Sequence, residues 1–149
     1  MDYYMTKKYG RFFLMLLLAF SFGITAASAQ SYEDACKKGD EALAKKDYNG
    51  AIKEFSAATS IDAEKPQAYL GSGIAKYNLG KYDEAMRDVN LAITYDEKYA
   101  EAYNHSGLIR EKMNLLEDAK ADYEKAIFLK PDYKEAQVNL ENLNKKLSK

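Results

Sequence analysis

Residues 66–99 read PQAYLGSGIAKYNLGKYDEAMRDVNLAITYDEKY, and residues 100–133 read AEAYNHSGLIREKMNLLEDAKADYEKAIFLKPDY. Laid one over the other, the two stretches keep small and aromatic residues in register at an interval of 34. The register extends back to a first copy. Gly39, Gly73 and Gly107 share the interval, as do Ala51, Ala85 and Ala119, and Ala58, Ala92 and Ala126. Phe55, Val89 and Tyr123 follow it, with Ile61, Tyr95 and Leu129, and Tyr48, Tyr82 and Leu116. Six series in one register mean that one structural unit is used three times.

Within a unit, apolar residues fall three and four apart, the spacing of one helix face. Ala51, Ile52, Phe55 and Ala58 form one such face, and Ala85, Val89, Ala92 and Ile93 a second. Ala119, Tyr123, Ala126 and Ile127 form the third. Turns are predicted at Lys46-Asp47, Leu79-Gly80-Lys81 and Asn114-Leu115. Each unit therefore reads as two antiparallel helices, which glycine and alanine allow to approach closely. A single pair leaves its apolar face open, and stacking against the next pair closes it. The segment from Tyr133 to Leu147 opens like another first helix, but Glu141 stands where glycine would recur. It reads as a capping helix, with Val138, Leu140, Leu143 and Leu147 over the last repeat and Asn139, Glu141 and Lys145 outward.

These residues resemble the tetratricopeptide signature, which runs aromatic, Leu-Gly, aromatic, Ala, aromatic, Ala, Pro. The third copy gives Tyr103, Ser106-Gly107, Ala119, Tyr123, Ala126 and Pro131, and the second gives Tyr69, Ser72-Gly73, Ala85, Val89 and Ala92. The first is looser: Ala35, Lys38-Gly39, Ala51, Phe55 and Ala58. Ser or Lys replaces the family's Leu, and only Pro131 keeps the final Pro. The resemblance implies an all-α fold, a right-handed solenoid of three helix-turn-helix repeats (about 32–65, 66–99 and 100–133) and a capping helix at about 133–147. It also implies a concave groove, lined by the first helix of each repeat, that accepts an extended peptide or a helix of a partner. Carried over position by position, the groove comprises Glu33, Cys36, Asp40 and Leu43, then Gln67, Leu70, Ile74, Tyr77 and Asn78, then Glu101, Asn104, Leu108 and Glu111. The residues expected to bind peptide are Leu43, Leu70, Ile74, Tyr77, Asn78, Asn104 and Leu108. Some members of the family hold a C-terminal carboxylate in a clamp of Lys, Asn and Arg. The matching positions here are Cys36, Asp40, Gly71, Glu101 and His105, none of them Lys, Asn or Arg and two of them acidic. The groove instead fits a partner with an apolar stripe and some basic residues.

Other functions find little support. The chain has 149 residues and a net charge of −1. Its Lys and Arg are matched by nearby acids, unlike the basic face of a nucleic-acid binder. One cysteine, Cys36, excludes an internal disulfide, and one histidine, His105, supplies no usual zinc set. Cys36 reads as a small helix residue, with pairing to another chain as the alternative. No nucleophile motif accompanies His105. Asp83-Glu84 and Glu117-Asp118 open second helices, where acids suit the helix dipole. The sequence therefore predicts a non-enzymatic interaction module without catalytic residues, metal or cofactor. A self-associating structural array or assembly scaffold is the alternative.

Residues 1–29 read as an address. Lys7, Lys8 and Arg11 precede an apolar run, Phe12 to Phe22, broken only by Ser21, and Ala27-Ser28-Ala29 supplies a small-x-small cleavage site. The run is shorter than the roughly 20 residues that span a bilayer. A signal peptide cleaved after Ala29 is expected, leaving 30–149 as the repeat domain, periplasmic or secreted and not inserted in a membrane. An uncleaved anchor is the alternative.

Overall fold

The computed structural model describes residues 29–148. The expected signal peptide, residues 1–29, lies outside the described residues apart from Ala29. Helix α1 covers 29–44, and six further helices follow: α2 Tyr48–Ile61, α3 Pro66–Asn78, α4 Tyr82–Tyr95, α5 Ala100–Lys112, α6 Leu116–Leu129 and α7 Lys134–Leu147. No strand occurs among the described residues. The helices alternate down a solenoid. The largest contacts lie between α3 and α4 and between α5 and α6, the two members of a repeat.

Local chemistry sets these boundaries. Lys46, Gly80 and Asn114, spaced by 34, hold left-handed φ values of 59°, 75° and 62°. Each closes a first helix in the same way: Gly80 N donates to Tyr77 O at 2.9 Å, and Lys81 N donates to Lys76 O at 3.0 Å. This double hydrogen bond returns the chain sharply and satisfies the last carbonyls. The Asp47 carboxylate accepts from Gly50 N at 3.0 Å and caps α2. Ala63 and Glu97 stand where the final Pro is missing, and Asp62 and Asp96 precede them. The two Asp side chains accept from Glu64 N at 3.1 Å and Lys98 N at 2.9 Å, which turns the chain out of α2 and α4. Pro66 opens α3, where a missing N–H costs nothing.

The repeated residues meet in the core. A methyl added at Gly107 would lie 2.5 Å from the Tyr123 ring, and one at Gly39 would lie 2.7 Å from the Phe55 ring. The glycine thus lets the second-helix aromatic lie against the first-helix backbone. Ala51, Ala85 and Ala119 are fully buried, as are Ala58, Ala92 and Ala126. A second recurring pair crosses the two later repeats. Lys76 lies 2.6 Å from Asp88, and Arg110 lies 2.6 Å from Asp122. The first repeat has Ala42 and Glu54 there. Arg110 meets Asp122 charge to charge, without a hydrogen bond aligned on Oδ2. Burial pushes the Asp122 carboxyl above its ordinary range even so.

The capping helix sits differently from the sequence reading. Ala136 and Leu143 are buried, and Leu140 packs beside Leu143. Val138 is 53% exposed and Leu147 38% exposed, so neither seals the last repeat. Asn139, expected outward, turns inward and donates to Asn104 Oδ1 at 2.9 Å. Polar ties fix this rotation. Besides Asn139, Lys146 pairs with Glu111, so α7 leans on α5 as well as on α6.

The candidate binding groove

The odd-numbered helices share one side of the solenoid. α3 touches α5 directly, whereas no comparable contact joins α2 to α4 or α4 to α6. The side bearing α1, α3, α5 and α7 is therefore the inner, tighter side of the curve. Three rows of residues run across it at intervals of 34: Cys36, Leu70, Asn104 and Val138; Asp40, Ile74, Leu108 and Asn142; Leu43, Tyr77, Glu111 and Lys145.

The structure divides the predicted groove residues. Leu43, Ile74, Tyr77 and Leu108 are half-buried, each with its base packed on the core and part of its side chain in solvent. Asn78 is exposed, with its amide donating to Ile74 O at 2.8 Å. Leu70 and Asn104 depart from the expectation of open positions: their exposures are 5% and 0%. The cause is a fourth row at the same interval, Lys65, Tyr99 and Tyr133. Tyr99 packs with the cluster that holds Leu70. The Tyr133 hydroxyl accepts from Asn104 Nδ2 at 3.3 Å, and Glu135 accepts from the same amide at 3.2 Å. These residues end the loop into the next first helix and lie over the inner side. The 34-residue interval of Tyr99 and Tyr133 was the available signal; it was not enough to show which way the rings fold.

Tyr32 is 1% exposed and accepts from Ala68 N at 3.2 Å. Tyr95, in the repeat series with Ile61 and Leu129, is 42% exposed and stacks on Tyr69 with centroids 5.4 Å apart.

Electrostatics grade the inner side from one end to the other. Toward the C-terminus its carboxylates are engaged. Glu101 lies 2.7 Å from Lys130, and this hydrogen bond holds its carboxyl below the usual range. Glu111 accepts from the Tyr123 hydroxyl at 3.0 Å and pairs with Lys146. His105, half-buried on α5, is pushed down by desolvation, and Glu135 and Glu101 offset that in part. Burial pushes the hydroxyls of Tyr99 and Tyr133 up to about 12, so both stay neutral. Toward the N-terminus, Glu33 reaches Lys65 only at 3.5 Å. Asp40 has no hydrogen bond or ion pair among the described residues, and burial pushes its carboxyl up. Cys36 is buried, and desolvation raises its thiol, which disfavours the reactive thiolate.

Among the described residues no group of His, Cys, Asp and Glu could hold a metal ion, and no helix is long and apolar enough to cross a membrane. The positions that the resemblance matches to a carboxylate clamp are unsuited to a carboxylate here. Asp40 and Glu101 are acidic, and a side chain at Gly71 would meet the Phe55 ring at 2.3 Å.

The family model for the tetratricopeptide repeat matches residues 66–99 and 100–133. Residues 32–65, where the signature is loosest, lie outside that match. Among curated protein sequences none matches this one. Solved structures do. The first tetratricopeptide domain of Spaghetti (RPAP3), bound to the HSP90 peptide SRMEEVD, is 28% identical with a TM-score of 0.75 over 80% of this chain and 95% of that one. The Arabidopsis OM64 tetratricopeptide domain is 27% identical, TM-score 0.76, over 80% and 98%. The second human RPAP3 domain, in complex with the HSP70 peptide SGPTIEEVD, is 26% identical, TM-score 0.70, over 80% and 97%. Residues 66–133 thus match the tetratricopeptide repeat twice, and the described helices are arranged like those of solved tetratricopeptide domains.

Proposed function

We propose that this protein is a non-enzymatic interaction module of the cell envelope that holds a peptide or helix of a partner protein on its inner face. It would act there as an adaptor or assembly factor. One observation carries the reading: Leu43, Ile74, Tyr77 and Leu108 stay part-exposed on the inner side of the curve, where an apolar surface serves contact. Similar solved domains hold peptides. The envelope location rests on the sequence of residues 1–29, and mass spectrometry of exported protein should show Gln30 as the first residue. An intact Met1 or Met5 end on exported protein would sink the cleavage.

The test of the binding role is a pull-down from envelope extract with residues 30–149, beside a bait carrying Ile74→Glu and Leu108→Glu. Circular dichroism checks that the variant is folded. A protein held by the first bait and lost from the second is expected. Equal retention would move the contact to the outer face. The exposed Val138 and Leu147 of the cap favour a second reading, in which the inner face of one copy takes the cap of another. Sedimentation separates the two, because that reading requires oligomers at micromolar concentration.

A further inference from the structure

The proposed groove leaves open which peptide it takes, and the gradient of charge along it bears on that choice. Building on the groove reading, we infer that the partner segment is extended and cationic at one end, with a Lys or Arg over Asp40 and apolar residues over Ile74 and Leu108.

Three observations support this. Asp40, Ile74 and Leu108 form one row, at 34-residue intervals, across α1, α3 and α5. Neighbouring packed helices stand about 9 Å apart, and an extended chain advances about 3.3 Å per residue. A ligand crossing the row therefore places a residue on each site at about every third position. The sites then ask for a cation, an apolar residue three positions on, and another three beyond that. Second, Asp40 is the groove carboxylate without a protein cation. Glu101 and Glu111 are neutralised by Lys130 and Lys146, Glu33 has Lys65 nearby, and Glu135 is engaged by Asn104. Asp40 has none of these, and burial already disfavours its charge. A ligand cation there gains attraction without displacing a partner. Third, the neighbours of Asp40 leave it open to a ligand: Cys36 and Leu43 flank it on α1, the exposed Lys37 one turn back forms no ion pair with it, and the Tyr99 hydroxyl faces it as a neutral group. Acid-tailed peptides such as those in the similar structures would bring like charge to this end.

The test uses the chain from residue 29 onward, which contains every described helix, and fluorescein-labelled peptides read by anisotropy. One peptide carries Arg with Leu three and six positions later in a Ser-Gly background. A second has Glu in place of the Arg, and a third is SRMEEVD. The Arg peptide should bind about fivefold tighter than the Glu peptide, the upper range of an exposed ion pair. The difference should shrink with added salt and vanish in Asp40→Asn. Both Leu peptides should weaken in Ile74→Ser. The inference is overturned if the preference for Arg survives in Asp40→Asn, is absent from the unaltered protein, or if SRMEEVD binds as tightly as the Arg peptide. In those cases the groove itself still stands if Ile74→Ser weakens binding. If no peptide binds, or Ile74→Ser changes nothing, the groove reading falls and the inference with it.

Discussion

At the scale of single residues, glycine and its neighbours settle how close two helices come. A Cβ at Gly107 would meet the Tyr123 ring at 2.5 Å, and that ring is fully buried with its hydroxyl held by Glu111. It cannot swing away cheaply, so Gly107→Ala should cost about 1–3 kcal/mol by overpacking, measured by urea denaturation. The turn residues give the opposite sign. Lys46 occupies the left-handed position that Gly80 fills one repeat later. Lys46→Gly should therefore gain stability, by up to about 1 kcal/mol; a loss would show that the Lys46 side chain contributes more than its strained backbone costs. His105 provides a pH handle. Its pKa is lowered below 6.5 in the folded protein, chiefly by burial, so the unfolded chain binds more protons in the window just under that value. Stability should hold above pH 6.5, fall as pH drops through it, and level off below the folded pKa. In His105→Gln this slope should disappear from the thermal melting profile. Leu43, Ile74, Tyr77 and Leu108 came from the tetratricopeptide resemblance, and they are half-buried, as an apolar residue on the inner side of a first helix should be. Whether Leu70 and Asn104 are covered was not legible in the sequence, because it depends on Tyr99 and Tyr133, which lie 29 residues further along the chain.

At the scale of elements, the cap α7 shows how a helix is placed by more than its apolar stripe. Leu143 and Leu140 supply the packing, yet Asn139 and Lys146 set the rotation through Asn104 and Glu111. Asn104 is fully buried and spends its donors on Tyr133 and Glu135 and its acceptor on Asn139. Removing 133–149 would leave that amide without partners and uncover Tyr123 and Ala126, both at 0% exposure now. A buried polar group left unpaired costs about 1–3 kcal/mol, and lost apolar burial adds to it. The truncated chain should melt lower and self-associate, as light scattering and circular dichroism would show. A monomer with unchanged melting would mean that α7 is an appendage. The sequence pointed to a cap because its glycine is missing and its tail is polar. It could not show that the seal is partly a hydrogen-bond network, since Asn139 and Val138 stand one residue apart and only the docked orientation tells which turns inward.

At the scale of the whole molecule, the three-fold repeat makes a graded object from a regular one. Each unit has the same helices and turns, but the inner face runs from Asp40, with no cation, to Glu101 and Glu111, which are already paired. That gradient, not the fold, would choose a partner. The sequence by itself determined the helices, the 34-residue period, the turns at Lys46, Gly80 and Asn114, and the close approach at Gly39, Gly73 and Gly107, because each depends on residues within one repeat and on backbone geometry common to every chain. The tertiary structure alone decided which carboxylates are neutralised, which first-helix positions are roofed by tyrosine, and how the cap is turned. Those outcomes depend on side chains from different repeats meeting across the inner face, and a sequence period places such residues in the same row without fixing the direction in which each one reaches.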